Sequence, residues 1–361
     1  MLESTRVLLS GIIDYAGLFP PAKLDMASAV RNYAGYLAGP HAWMLGRFIV
    51  PVARLEEFER EAEGLFPQPV VPQAPLGATR DAPSPWSISV LVGDDLDADI
   101  DAVFAFNQRH APPETDPGAL DEAAARGEPD DDAPSGLGGG AVIDTLEIKL
   151  TNTGTGPMGG GREIDRAMNT VPEQLDAYFE IPTAQDPRGL IAAIAGTGAR
   201  AKVRTGGVTP DAFPAPEHLA RFISACAAAE VPFKATAGLH HPVRGEFDLT
   251  YEPNCPRGLM YGFLNVFLAA ALLRTREGTE QDAVAMLSER DPTSIKFAEP
   301  GVAWRGKRLA IDRLALVRES FATSFGSCSF DEPVADLRAL GLLPPGPLPP
   351  LPPPPPPPNA A

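Results

Sequence analysis

Lysine is scarce in this sequence, in which only six of the 30 cationic residues are lysine and the other 24 are arginine. Since arginine fills most positions that need a surface cation, the position of each lysine is informative. Four of the six lie within strand-like segments: Lys149, Lys202, Lys234 and Lys296. Solvated lysines seldom occupy such segments. These four lysines are therefore candidates for a functional site.

Cysteine is also sparse, and the three cysteines, Cys226, Cys255 and Cys328, lie far apart. Their spacing fits neither a disulfide framework nor a zinc motif, and the five histidines form no His-x-x-x-His pair. We expect a reduced, cytoplasmic protein that requires no cofactor. A divalent metal bound by Asp14, Glu147, Glu180 and His240 remains an open alternative.

Long apolar runs are missing as well. The longest, residues 264–273, contains Asn265 and is too short to span a bilayer. The first residues lack the basic region and apolar core of a signal peptide. The formal net charge is -17, which repels nucleic acid and anionic membranes. We expect neither as a partner.

Two segments lack the apolar content of a folded core. Residues 111–140 contain eight acidic residues and one arginine, and the residues from Pro344 onward hold twelve of the 41 prolines. The composition of 111–140 predicts a disordered acidic insertion. Residues 344–361 form a polyproline tail that a partner with an aromatic groove could bind. We expect residues 1–343 to form a single domain, and a homo-oligomer is left open.

The core sequence alternates strand-like segments with amphipathic helical patterns. Eight strands in this order predict an α/β fold of the (β/α)8 barrel type, with an open doubly wound sheet as the alternative. The predicted strands are residues 11–15, 47–51, 87–92, 146–151 and 178–182, the segments around Lys202 and Lys234, and residues 294–298. A last long helix, 309–325, would end at Gly326, which makes Cys328 part of a structural helix cap.

Alternate side chains of a strand face the same side, and barrel enzymes bind substrate at the carboxyl ends of their strands. We take the polar side of each strand to face inward. With Asp14 at the end of the first strand, the inward set is Arg47, Ser87, Ser89, Glu147, Lys149, Thr151, Glu180, Lys202, Arg204, Lys234, Thr236, His240 and Lys296.

Excess positive charge in this set favours a small anionic substrate, a carboxylate or phosphate ester, bound bidentately by Arg204 and Arg47. The other expected substrate-binding residues are Lys149, Glu147, Thr236, His241, Lys296 and Asp14.

The lysines suggest nucleophilic chemistry. Neighbouring cations and burial would lower the pKa of Lys202 and Lys234, so that Lys234 attacks a carbonyl group while Glu180 or His240 transfers protons. The structural alternative is a network in which Glu147 and Glu180 neutralise the lysines.

The run Lys234-Ala-Thr-Ala-Gly-Leu239 resembles the Lys-x-Ser/Thr-x-Gly-aromatic segment of the deoxyribose-phosphate aldolase family. Lys202-Val-Arg-Thr-Gly-Gly207 resembles that family's second lysine strand. The family consists of (β/α)8-barrel class I aldolases, so the resemblance implies a lyase with a Schiff base at Lys234.

Two other functions fit the sequence. Acids on the fourth and fifth strands, with lysines elsewhere, are compatible with enolase-type proton abstraction that uses a divalent metal. The proline-rich tail is compatible with a non-catalytic binding or assembly protein.

Overall fold

A closed barrel of eight parallel strands forms the centre of the protein. The computed structural model describes residues 1–68, 84–112, 139–151 and 159–345. The barrel confirms the predicted (β/α)8 fold. Most of the predicted acidic insertion and of the proline-rich tail lies outside the described residues.

The barrel strands follow one another in chain order until the last. They are β1 (Ile13–Tyr15), β2 (Leu45–Pro51), β3 (Trp86–Leu91), β4 (Ala141–Lys149), β5 (Asp176–Glu180), β6 (Arg200–Arg204), β7 (Phe233–Thr236) and β13 (Ala322–Ser327). β13 closes the barrel between β7 and β1. β4 begins at Ala141, five residues before the predicted start at Leu146.

Helices cover the outside of the barrel. They are α1 (Glu3–Leu9), α2 (Met26–Leu37), α3 (Leu55–Ala62), α4 (Leu96–His110), α5 (Gly160–Thr170), α6 (Arg188–Ile194), α7 (Pro216–Ala229), α8 (Phe263–Arg274), α9 (Glu280–Leu287), α10 (Ile311–Ser320) and α11 (Asp331–Ala339). Helix starts follow local chemistry: Asp25 caps α2 by accepting from the Ser28 amide, and Pro216 opens α7. Within the described ranges, no helix is long and apolar enough to cross a bilayer.

The prediction that residues 294–298 form the eighth barrel strand was wrong. Residues Ile295–Ala298 form β10, which pairs antiparallel with β11 (Gly301–Trp304) in a separate three-stranded sheet completed by β12 (Lys307–Ala310). A tight turn at Arg305 and Gly306, both with positive φ, joins β11 to β12 as an antiparallel hairpin.

The true eighth strand begins inside the segment predicted as a long helix and extends past its predicted end. α10 ends at Ser320, and the following Ala-Thr-Ser-Phe-Gly-Ser run enters the barrel as β13. The buried guanidinium of Arg318 donates to the carbonyl oxygens of Ala322 and Thr323 and to those of Leu8 and Ser10. These bonds fix the start of β13 beside the chain that leads into β1.

A second hairpin follows β7. Its strands are β8 (Gly245–Asp248) and β9 (Arg257–Met260), which pair antiparallel and lead into α8. Leu249 and Met260 from this hairpin line the cavity at the carboxyl end of the barrel. The hairpin therefore forms part of the wall around the barrel mouth.

Candidate active site

The barrel interior contains a chain of alternating carboxylates and lysines. Lys234 Nζ lies 2.6 Å from Asp14 Oδ2 and 2.7 Å from Glu147 Oε1. Lys202 Nζ lies 2.9 Å from Glu147 Oε2 and 2.9 Å from Glu180 Oε2. Strand register explains this row of charged side chains. Lys202 lies opposite Lys234 in the register of β6 and β7, and opposite Glu180 in the register of β5 and β6.

Hydroxyl groups complete the coordination of the buried carboxylates. Ser89 Oγ donates to Glu147 Oε1 at 2.9 Å, and Ser324 Oγ donates to Asp14 Oδ2 at 2.7 Å. The Arg47 amide donates to the other Asp14 oxygen at 2.9 Å. The buried charges are thus paired and hydrogen-bonded, which offsets their desolvation.

The electrostatics of the lysines differ from the sequence expectation. Burial by itself would lower the pKa of Lys234, but the Asp14 and Glu147 carboxylates outweigh it and raise that pKa above its ordinary value. The pKa of Lys202 is raised in the same way, since Glu147 and Glu180 outweigh its burial. The prediction that the two lysines lower each other's pKa was wrong, because each cation lies between two carboxylates.

Glu147 is the central group of this chain. Burial would raise the pKa of its carboxyl group, but the ammonium groups of Lys202 and Lys234 hold that pKa well below its ordinary value. Glu147 therefore stays charged between two cations. It ties β4 to β6 and β7 at the middle of the barrel.

A cavity of about 250 Å³ opens above this row of lysines and carboxylates, at the carboxyl ends of the strands. Glu147, Glu180, Lys202, Arg204, Thr236 and His240 line it, together with Cys328 and residues of the β1 loop. Lys202 is the one lysine among the described residues that line this cavity. Lys234 lies deeper and is 1 % exposed, so Lys202 is the lysine placed to meet a ligand.

A second, more open cavity of about 360 Å³ adjoins the first. The two share Glu180 and Arg204 in their linings, and Lys149, Asp211 and His218 line the second alone. Arg204 Nε is 4.0 Å from Glu180 Oε1, and the Arg204 side chain is 56 % exposed. An arginine at this position is available to an anion that approaches the barrel mouth.

Three predicted substrate-binding residues lie elsewhere. Arg47 binds Asp144 bidentately at 2.6 and 2.9 Å, lower in the barrel. Lys296 is exposed on β10, outside the barrel, because the eighth strand was misassigned. His241 binds Asp336 at 2.6 Å and stacks on Phe247, with ring centroids 3.5 Å apart.

His240 faces the cavity. Its Nδ1 lies 2.8 Å from Glu332 Oε2 on α11, and its Nε2 lies 3.9 Å from Cys328 Sγ just after β13. Burial would lower the pKa of His240, but its bonds to Cys328 and Glu332 outweigh burial and raise that pKa to about 10. The expectation that Cys328 belongs to a helix cap at the far end of the barrel was wrong.

Sequence reasoning missed Ser324, Cys328 and Glu332. All three lie in or after β13, which the sequence assigned to a helix, so their approach to the barrel mouth was hidden. Histidine, cysteine, aspartate and glutamate could in principle bind a metal. Among the described residues, no group of three or more such side chains is arranged to hold one.

The chain matches no protein-family model, and no curated protein is significantly similar to it.

Proposed function

We propose that this protein is a barrel enzyme of the lyase or aldolase type that acts on small anionic carbonyl compounds. The observation that carries the proposal is the position of Lys202, which lines the cavity between Glu147 and Glu180 and below Arg204. An amine, an acid–base carboxylate and an anion-binding guanidinium at one barrel mouth supply the groups that imine chemistry needs.

The steps follow from the contacts. Arg204 binds the carboxylate or phosphate of the substrate and places its carbonyl carbon near Lys202. Lys202 gives one proton to Glu180, whose Oε2 is 2.9 Å from Nζ. The neutral amine attacks the carbonyl carbon, and a proton then moves from the new ammonium nitrogen to the alkoxide oxygen, which gives a carbinolamine. Glu180 returns its proton to the hydroxyl of this adduct, and water leaves. The resulting iminium withdraws electrons from the adjacent carbon–carbon bond, as an aldolase requires.

Lys234 has a different part in this proposal from the one expected from the sequence. It is fully buried and paired on both sides, so it acts as a fixed positive charge. Its ammonium group offsets the charge of Glu147, which favours release of the Lys202 proton toward Glu180. No cofactor is needed for these steps.

Borohydride trapping tests the assignment. The protein is incubated with glyoxylate, pyruvate or glyceraldehyde 3-phosphate, reduced with borohydride and mapped by peptide mass spectrometry. We expect a stable mass addition at Lys202 that Lys202→Arg abolishes. Lys296→Arg is the matched control, since Lys296 is exposed on β10 outside the barrel, and it should leave the addition unchanged. Labelling spread over exposed lysines, or no labelling with any of the three, would exclude the imine mechanism.

The raised pKa values of both lysines favour a second candidate, proton abstraction next to a carboxylate. In this reaction Lys202 stays an ammonium group and stabilises the enolate oxygen, while Glu180 removes the proton. Exchange of substrate hydrogen for solvent deuterium, without borohydride trapping, would identify proton abstraction as the reaction. A dependence of this exchange on magnesium would show that the reaction also uses a metal ion.

A further inference from the structure

The segments that follow β7 and β13 bring a histidine, a cysteine and a glutamate together near the cavity. The histidine follows β7, the cysteine follows β13, and the glutamate lies in the first turn of α11. Gly326 of β13 pairs with Thr236 of β7, so the residues that follow these two strands emerge side by side. Cys328 Sγ lies 3.9 Å from His240 Nε2, and His240 Nδ1 lies 2.8 Å from Glu332 Oε2. The three side chains thus have the order of a nucleophile, a base and a group that orients the base. The 3.9 Å distance between Cys328 and His240 is longer than a tight hydrogen bond, as is often found in enzymes without bound substrate.

The surroundings hold this arrangement in one geometry. Glu332 receives a second hydrogen bond from Tyr251 Oη at 3.0 Å, and the same hydroxyl lies 3.8 Å from Cys328 Sγ. The Ser329 hydroxyl accepts from the Glu332 amide at 3.2 Å, which fixes the first turn of α11. His240 Nε2 is thus placed to accept the thiol proton of Cys328, and the thiolate that results is the nucleophilic form.

The other two cysteines provide a contrast. Cys226 is buried in α7, where burial raises the pKa of its thiol well above the ordinary value. Cys255 is half-buried, and its thiol donates to the Thr250 carbonyl oxygen at 3.1 Å. Cys328 shares the lining of the 250 Å³ cavity with Lys202 and Arg204. Its thiol therefore faces the space that a small anion would occupy.

We propose that Cys328 is the nucleophile of a second activity, acyl transfer from small activated esters or thioesters that carry a carboxylate. The reaction starts from the form in which His240 is neutral: its Nε2 takes the thiol proton, and Cys328 Sγ attacks the acyl carbon. The bond to the leaving alcohol or thiol breaks as that group takes the proton from His240 Nε2. Water, deprotonated by His240, then attacks the thioester and releases the carboxylic acid and the restored thiol.

This proposal extends beyond the imine chemistry and does not depend on it. It shares the 250 Å³ cavity and the anion-binding Arg204 with the proposed lyase reaction, but none of the reacting groups. An imine at Lys202 and a thioester at Cys328 are separate mass additions on separate peptides. Either one can therefore fail in the wild-type protein while the other is observed.

The test uses the p-nitrophenyl monoester of succinate as the anionic probe and p-nitrophenyl acetate as its neutral counterpart. We expect one succinyl group per chain, mapped to Cys328, formed at least about tenfold faster than acetylation. Cys328→Ser should abolish the modification, and His240→Asn should slow it by about tenfold or more. Cys255→Ser is the matched control and should react like the wild type.

A labelling experiment on the unmutated protein covers the case in which His240→Asn does not fold. Iodoacetate should alkylate Cys328 faster than iodoacetamide does, while Cys255 shows no preference for the charged reagent. The proposal is overturned if Cys255 is acylated as fast as Cys328, if folded His240→Asn reacts at the wild-type rate, or if the neutral reagents are preferred at Cys328.

Discussion

Lys234 Nζ lies 2.7 Å from Glu147 Oε1 at the centre of the barrel, and neither side chain is more than 2 % exposed. The second oxygen of the same carboxylate binds Lys202. One acid therefore holds two cations from neighbouring strands. This arrangement decides which lysine is available to a ligand, since Lys202 reaches the cavity and Lys234 does not.

Glu147→Gln removes the charge that both ammonium groups share. We expect a loss of about 3–5 kcal/mol in the free energy of unfolding, since two buried cations are left underpaired. Urea denaturation monitored by circular dichroism measures it. Asp248→Asn, which breaks the exposed pair of Asp248 with Arg257, is the control and should cost no more than about 1 kcal/mol. Equal losses in the two variants would contradict a stabilising role for the buried chain.

The raised pKa of His240 predicts a specific dependence of the free energy of unfolding on pH. Its pKa in the folded protein is about 10, above the ordinary value of 6.5. The charged form is therefore favoured by folding, so the stabilisation is complete below pH 6.5 and disappears as the pH rises toward 10. The groups that face the ring are Cys328 and Glu332, and Tyr251 contacts both of them.

His240→Gln removes this contribution. The melting temperature of the wild type should exceed that of the variant most at pH 6, and the difference should shrink by pH 10. A pH-independent difference for His240→Gln would show that the ring is not held as an imidazolium.

Arg204→Gln should weaken the binding of small dianions such as succinate by about tenfold, or about 1.4 kcal/mol. A loss expected for a fully buried arginine would be larger, but the Arg204 side chain is 56 % exposed and partly screened. Isothermal titration calorimetry measures the affinity. Arg200→Gln is the control on the same strand. Arg200 lies outside the cavity lining and forms an ion pair with Asp176, with a nitrogen–oxygen distance of 2.7 Å. Equal affinities in wild type and Arg204→Gln would remove Arg204 from the anion site.

Replacing residues 113–138 with a short Gly-Ser linker should leave the fold intact. Gly140 approaches the backbone so closely that an added Cβ would lie 2.1 Å from the His110 carbonyl oxygen, so the flanking chains already run side by side. We expect the melting temperature to change by less than about 2 °C, which corresponds to about 1 kcal/mol. Thermal unfolding followed by fluorescence measures it, and a much larger drop would mean that the acidic segment stabilises the barrel.

The polar parity of the strands was enough to predict much of the interior. Glu147, Glu180, Lys202 and Lys234 alternate with apolar residues at a period of two, which identifies one face of each strand. Parity does not report distance along the barrel axis. It could not predict that Arg47 lies below the cavity with Asp144, or that Asp14 reaches Lys234.

The last strand could not be predicted because its composition is not strand-like. Ala322–Ser327 contains mostly small and polar residues, and it directly follows a helical sequence pattern that continues through Phe321. By contrast, Ile295–Ala298 has the apolar alternation of a barrel strand but pairs with its own hairpin. The choice between the two depends on long-range pairing with β1 and β7, which a single sequence does not encode locally.

The walls of the cavity differ in how they are held. Its lysine side rests on strands β4, β5 and β6, which the barrel hydrogen bonds fix in place. Another part of the wall comes from the β8–β9 hairpin, which is joined to the barrel through the segment after β7 and through α8. A change in the length or sequence of this hairpin would alter the size of the mouth and the position of Tyr251 without moving Lys202 or Glu180. Variants with a longer or shorter hairpin would then admit ligands of different size while keeping the same charged groups beneath them.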